Sequence, residues 1–341
     1  MNWPLWVVTF VLTASPVGIL IIDRIVGYPA PKLFKVVGAP SLIVLAGITI
    51  YGVLAREPLC TLIIWGTVGG ILGTVALDIV RLIGVRFKLF PMDMPRMFGA
   101  IALGLGPKLQ RNMIGALVAR LAKMPEAQRR RMMTERLSAI AKMPEAQRIM
   151  VIGAMRRGLE RLAKDQRKLV VGTQVEILSE MPSEARRTIM RTMDEVTIGD
   201  GTPGFYGQPR GMPRIPMAMF REMMEEEVYS RTLQEERVSL FHAAFRGYVW
   251  HFFIGGISLG IPYTLLVGQG SWGLAIAWGI FVWAVMMIAM PPMMRMIQFP
   301  WRVFPIVPFI AHIAFAIPIG YFALRYINAE AMANSLLGAL R

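Results

Sequence analysis

Two carboxylates stand at the cytoplasmic ends of stretches that otherwise read as hydrocarbon, Asp23 and Asp78, and two histidines fall within such stretches, His251 and His312. A charged side chain inside a membrane is costly to desolvate, so an intramembrane carboxylate is a functional candidate by default. Asp23 is followed by Arg24, and Asp78 by Arg81 three residues on, along the same helix face. Two readings follow. Asp23, Asp78 and Arg81 are either boundary ion pairs or the coupling groups of a small-solute or ion transporter. His251 and His312 lie on different helices, as the two axial ligands of a haem would; the other reading is a pair of hydrogen-bonded packing histidines. Met286, Met287, Met290, Met293, Met294 and Met296 offer thioethers suited to Cu(I). The 26 methionines are spread along the whole chain, however, and gap filling is their commoner use. Cys60 is the single cysteine, so no internal disulfide or thiolate metal site can form. No metal and no cofactor is expected. No nucleophile elbow, Walker loop, dinucleotide fingerprint or zinc-protease motif occurs, and nothing argues for an enzyme.

A second set of residues recurs. LAKMPEAQRRRMM, from Leu121, is followed by IAKMPEAQRIMVI, from Ile140. At a shift of 19 residues, Pro125, Pro144 and Pro182 align, and Arg129, Arg148, Arg167 and Arg186 form an all-arginine column. Met133, Ile152, Val171 and Met190 form an apolar column, and Pro107-x-x-Gln110-Arg111 is a looser copy one residue out of step. Proline suits the first helical turn, where its missing N–H is not needed. Glu126, Glu145 and Glu184 then favour the positive end of the helix dipole. Each copy predicts a helix of about four turns. One such helix cannot bury its apolar stripe alone, so neighbours should stack; lying flat on the membrane surface is the alternative. One arginine per copy predicts a row able to hold an acidic partner protein or anionic lipid heads; a solvated face balanced by glutamates is the bland reading. No aromatic residues interleave with these arginines, so nucleic acid is not expected. Proline-started helices with downstream arginine and apolar residues resemble the helical cytosolic domain of magnesium channels of the MgtE type. The resemblance covers this block alone. That family places its helical domain before all its spans, no nucleotide-sensing module is seen here, and no residue roles carry over.

These residues need elements to hold them. The chain has 341 residues, 55% of them hydrophobic, and a mean hydropathy of +0.50, which is membrane composition. Six stretches are long enough to cross a bilayer: Trp3–Ile22, Leu33–Leu54, Leu59–Ile79, Gly247–Val267, Trp272–Met290 and Val303–Leu324. The first is preceded by no Lys or Arg and is not expected to be a cleaved signal. Gly66-x-x-x-Gly70 and Gly256-x-x-x-Gly260 would let two spans approach closely. Residues Arg81 to Arg246 carry 29 Lys/Arg against 18 Asp/Glu, a basic block between two apolar triplets.

Arg24, Lys32, Lys35, then Arg81, Arg86, Lys88, then Arg295 and Arg302 all fall on one side if both termini face outward, which puts the central block in the cytoplasm. The expected architecture is an all-α polytopic protein of the inner (cytoplasmic) membrane, three spans, a cytosolic helical-repeat domain and three more spans. Spans 1–3 occupy 1–90. An interfacial turn and short helix occupy 91–106, where Asp93 and Arg96 of FPMDMPRMFG pair. The repeats occupy 107–198, a Gly/Pro loop 199–216, a connecting helix running into span four 217–246, spans 4–6 247–326 and a short tail 327–341. The function expected first is a non-catalytic scaffold or accessory subunit of a membrane assembly, among lipids and a protein partner, with a homo-oligomer also open. A transporter is second and a haem or quinone redox subunit third.

Overall fold

Proline and glycine divide this apolar chain into helices before packing is considered. The computed structural model describes residues 2–90, 92–198, 214–294, 297–302 and 304–340. Most of the expected Gly199–Pro216 loop, together with Arg295 and Met296, lies outside the described residues. In order, the helices are α1 (Trp3–Val26), α2 (Ala30–Ala55), α3 (Pro58–Arg86), α4 (Met94–Ala102), α5 (Gly106–Lys123), α6 (Glu126–Ala141), α7 (Glu145–Glu160), α8 (Lys164–Glu180), α9 (Ser183–Ile198), α10 (217–235), α11 (Leu240–Val267), α12 (Trp272–Met293), α13 (Ile306–Tyr326), α14 (Ala329–Ala333) and α15 (Leu336–Ala339). Six of them, α1, α2, α3, α11, α12 and α13, are long and apolar enough to cross a membrane. Residues Ile215–Pro216 and Ile297–Gln298 form a two-residue parallel ladder. The chain divides into one unit of Met1–Gly104, Phe241–Pro292 and Pro300–Arg341, and another of Leu105–Leu240 and Met293–Phe299.

The first unit is organised around α3, whose glycines lie on two faces. A Cβ added at Gly66 would sit 2.8 Å from Ile261 Cα, and one at Gly70 would sit 2.8 Å from Gly256 Cα. A Cβ at Gly260 would meet Gly70 Cα at 2.9 Å, so the two G-x-x-x-G pairs seat α3 on α11. Gly69 and Gly73, on the neighbouring face, seat α3 against Ile319 and Phe315 of α13. α11 widens to a π-helix over Ile254–Gly260 at this crossing. Its Ser258 accepts from Val17 N at 3.3 Å and donates to Thr13 O at 2.6 Å, satisfying backbone where α1 is interrupted before Pro16. Residues 327–341 are more than a tail: Ile327, Ala331 and Ser335 are buried, with α14 and α15 packed on this unit.

Three helices end on cations rather than glycine. Arg56 (φ 57), Lys88 (φ 62) and Arg237 (φ 54) are left-handed. In each case the following N–H bonds back to a carbonyl five residues earlier: Glu57 to Gly52, Leu89 to Gly84, and Val238 to Leu233. The stop at Arg237 breaks the helix expected to run unbroken from Met217 into span four. α3 reaches Arg86 and α11 starts at Leu240, beyond the expected span limits.

In the second unit, α6 to α9 begin at Glu126, Glu145, Lys164 and Ser183, every 19 residues. Sequential neighbours were expected to stack. Instead α5 packs chiefly on α7, and α7 on α9, while α6 packs on α8 and α9. The core includes Ile114, Leu121, Met133, Leu137, Ile140 and Val151. α10 folds against α5 in this same unit.

Arg136 of α6 is buried in it, and its Nε and Nη1 have no partner among the described residues. Burial pushes its pKa down to about 10, against a small opposing pull from Glu135. Its charge therefore opposes folding at neutral pH, and stability should rise as pH climbs above about 10 toward the ordinary guanidinium range. Arg136→Met is expected to stabilise the detergent-solubilised chain by about 1–3 kcal/mol in thermal unfolding. A loss of similar size would show that the guanidinium is paired after all.

Candidate functional site

The strongest cluster of ionisable groups in the first unit is centred on Arg81. Asp78 and Arg81 share a face of α3, and both are buried. Arg81 donates from Nε to Asp78 Oδ1 at 2.8 Å, from Nη1 to Asp93 Oδ1 at 2.7 Å, and from Nη2 to the Tyr248 hydroxyl at 3.2 Å. Tyr248 in turn donates to Asp93 Oδ2 at 3.1 Å, and Arg96 Nε lies 3.1 Å from the same oxygen. Asp93 stands at the N-cap of α4, yet its side chain caps no helical N–H; Arg81, Arg96 and Tyr248 engage it instead. Glycine sets the geometry again. A Cβ at Gly247 would lie 2.7 Å from Gly99 N, so α4 crosses α11 at backbone contact one residue before Tyr248.

Two aspartates and two arginines make the cluster neutral when His251 is neutral. Two atoms remain uncommitted: Asp78 Oδ2 and His251 Nδ1 have no hydrogen-bond partner among the described residues. His251 Nε2 stands 3.9 Å from Asp78 Oδ1, with Phe98 edge-on at 6.0 Å. This edge of the cluster has the chemistry to take up a proton without breaking the bonds that hold Arg81.

The other candidate residues are held elsewhere. Asp23 is buried and accepts from Ala30 N at 2.9 Å, closing the turn into α2 rather than approaching Asp78. His312 Nδ1 is 2.7 Å from Pro308 O one turn back, a backbone bond within its own helix. Among the described residues no three His, Cys, Asp or Glu side chains group as a metal-ligand set.

The arginine column is not an outward row. Arg129 and Arg148 are buried. Arg129 donates to Met124 O at 3.0 Å and Arg148 to Met143 O at 3.0 Å, each in the turn that ends the preceding helix. Arg167 reaches Leu159 O, Glu160 O and Leu162 O, and Arg186 reaches Ser179 O. The column therefore supplies donors to carbonyls that a helix C-terminus leaves orphaned. Arg129 and Arg148 also bond Thr173 and Thr192, at 3.0 and 2.7 Å. These threonines are themselves 19 residues apart, and the bonds tie each helix to the second one along. That threonine spacing was the available signal for the skipped packing. Arg167 is exposed and Arg186 half-buried, so only these two of the four face outward.

Compared with known proteins, the chain matches no protein-family model, no curated protein and no solved structure.

Two outcomes are expected from thermal unfolding in detergent. Arg148→Ala should cost about 2–4 kcal/mol, because Thr192 and the Met143 carbonyl lose a charged donor in a buried place, and Arg186→Ala under about 1. Equal losses would mean that burial does not separate the column. Asp93→Asn should cost more than Tyr248→Phe, about 2–4 against about 1 kcal/mol, since it removes the counter-charge of two arginines. The reverse order would remove Asp93 from the centre of the cluster.

Proposed function

We propose that the chain is a non-catalytic membrane adaptor: the six apolar helices anchor it, three before and three after a basic helical domain of 19-residue repeats that docks an anionic partner from the cytoplasmic side. The carrying observation is charge. Residues Lys108 to Arg191 hold 19 Lys/Arg against 8 Asp/Glu, net +11. Such a field draws polyanions and steers their approach over about a Debye length, roughly 8 Å at physiological salt. Cations flanking the first, third and fifth connections favour both termini outside and the helical domain inside a cytoplasmic membrane. Arg131, Lys168, Arg187 and Arg191 are exposed, so docking falls to such residues, with Arg167 and Arg186 beside them, rather than to Arg129 and Arg148.

Extraction in mild detergent followed by mass spectrometry of bound protein tests this. Lys168→Glu, Arg187→Glu and Arg191→Glu together are expected to reduce recovery of a stoichiometric partner at least fivefold while the thermal midpoint holds. Unchanged recovery would sink the adaptor reading.

A second reading, proton-coupled movement of a small solute, is favoured by the uncommitted Asp78 Oδ2 beside His251. It requires flux in reconstituted vesicles that Asp78→Asn abolishes. Wild-type flux in that variant would take Asp78 out of the mechanism.

A further inference from the structure

The second unit contains a cavity of about 220 Å³ lined by Lys108, Arg111 and Asn112 of α5, Arg157 of α7, Arg161 just past the end of α7, and Glu235 of α10. Its walls are brought together by glycine. A Cβ at Gly158 would lie 2.9 Å from Gly115 Cα, so α5 and α7 touch backbone to backbone one turn from Arg111 and one residue from Arg157. Like charges are thus fixed on two helices that cannot move apart without losing that contact.

The single carboxylate in the wall is already engaged. Glu235 Oε1 is 3.3 Å from Arg161 Nη2, and Glu235 Oε2 accepts from Asn112 Nδ2 at 3.0 Å. Asn112 Oδ1 accepts from Arg161 Nη1 at 3.3 Å, and its Nδ2 also reaches Thr232 Oγ1 at 2.9 Å. Lys108 pairs with Glu236. Among the described residues no carboxylate lies within ion-pair distance of Arg111. Burial, with Arg111 and Arg161 close by, holds the Arg157 guanidinium below its usual pKa.

Register explains why Arg111 is available. The capping column falls at 129, 148, 167 and 186, and its continuation backwards is Gln110. The looser first copy sets its arginine one residue further on, out of line with the column.

We propose, resting on the reading of this unit as an anion-docking domain, that this cavity binds a phosphate-bearing anion of headgroup size, with Arg111 and Arg157 as its principal donors and Arg161 as a positioned third. With Lys108 neutralised by Glu236, Arg111, Arg157 and Arg161 against Glu235 leave the wall at +2, matched to a phosphomonoester or a diphosphate. Arginine forks present two donors to such oxygens at once. A cavity of this size holds a phosphate group with a small substituent, not an extended chain. The chemistry is common to two sources, a free phosphate compound and a phospholipid headgroup.

The test uses the full chain purified in neutral detergent, with pyrophosphate titrated by calorimetry and retained phospholipid read by native mass spectrometry. Wild type is expected either to bind pyrophosphate or to retain a phospholipid that pyrophosphate displaces. Binding without retained lipid assigns a free phosphate compound; retention with displacement assigns a headgroup. Arg111→Gln with Arg157→Gln should weaken binding roughly tenfold or more, and Glu235→Gln should tighten it a few-fold by removing the one negative charge in the wall. Arg187→Gln with Arg191→Gln, outside the cavity, should change it less than about twofold. Tighter binding in Glu235→Gln keeps the test sharp even if the double arginine variant misfolds. Neither pyrophosphate binding nor retained lipid in wild type overturns the proposal, as does equal weakening by both arginine pairs. If partner recovery stands while pyrophosphate fails to bind, the cavity assignment falls and the adaptor reading survives.

Discussion

A guanidinium carries five N–H donors in one plane and a charge it keeps at neutral pH, and this fold uses it to join chain segments. Arg81 holds α3, the start of α4 and α11 together through Asp78, Asp93 and Tyr248. Arg129 and Arg148 do the same work between short helices, closing one helix end and bonding the helix two places on. A lysine has the charge but not the fork, and could not reach a carbonyl and a hydroxyl in fixed directions at once. The joints have unequal requirements. Arg81 needs two carboxylates because it is buried among apolar spans, whereas backbone carbonyls suffice for the repeats.

The spans are held by a different constraint. Ile43, Leu54 and Ile288 are more than 70% exposed. Such surface suits lipid tails, against which burial between helices gains little. Close approach must then supply the attraction, and α3 provides it through glycines on two faces, toward α11 and toward α13. The same device recurs at Gly99–Gly247, which brings Tyr248 to Asp93, and at Gly115–Gly158, which faces Arg111 across to Arg157. In each place the missing Cβ decides where charged groups can meet.

Much of this was legible in residue order. Apolar length marked six candidate spans, and the prolines marked the starts of α6, α7 and α9 within a residue or so, with the 19-residue spacing marking α8, where Ala163 stands in place of proline. Pairing of Asp93 with Arg96 could be read from their separation. Other features depend on partners distant in sequence. Nothing local in Arg129 says that Thr173, 44 residues on, will accept from it. Helix ends at Arg56, Lys88 and Arg237 escape a reading that looks for glycine, because their bond pattern, not their side chain, makes the stop. That Asp23 closes the turn at Ala30 is invisible as a pattern. Gly69 and Gly73 were passed over in favour of Gly66 and Gly70, since one spaced pair seems sufficient until a second helix is known to lie on the adjacent face.

Function in a chain this basic is found by separating committed cations from uncommitted ones. A count of +11 over the helical domain does not by itself distinguish a docking surface from a scaffold of caps. Once Arg129 and Arg148 are assigned to carbonyls and threonines, their charge is turned inward and recognises nothing outside. Surface pairs such as Arg131–Glu135 and Arg191–Glu195 are exposed and weakly held, so an incoming anion competes with them at little cost. Arg111 differs from both groups: it neither caps a helix nor meets a carboxylate, and a glycine crossing sets it opposite Arg157. The register slip at Gln110–Arg111, a minor irregularity in the repeat, is what places this arginine outside the capping column and on the wall of the cavity.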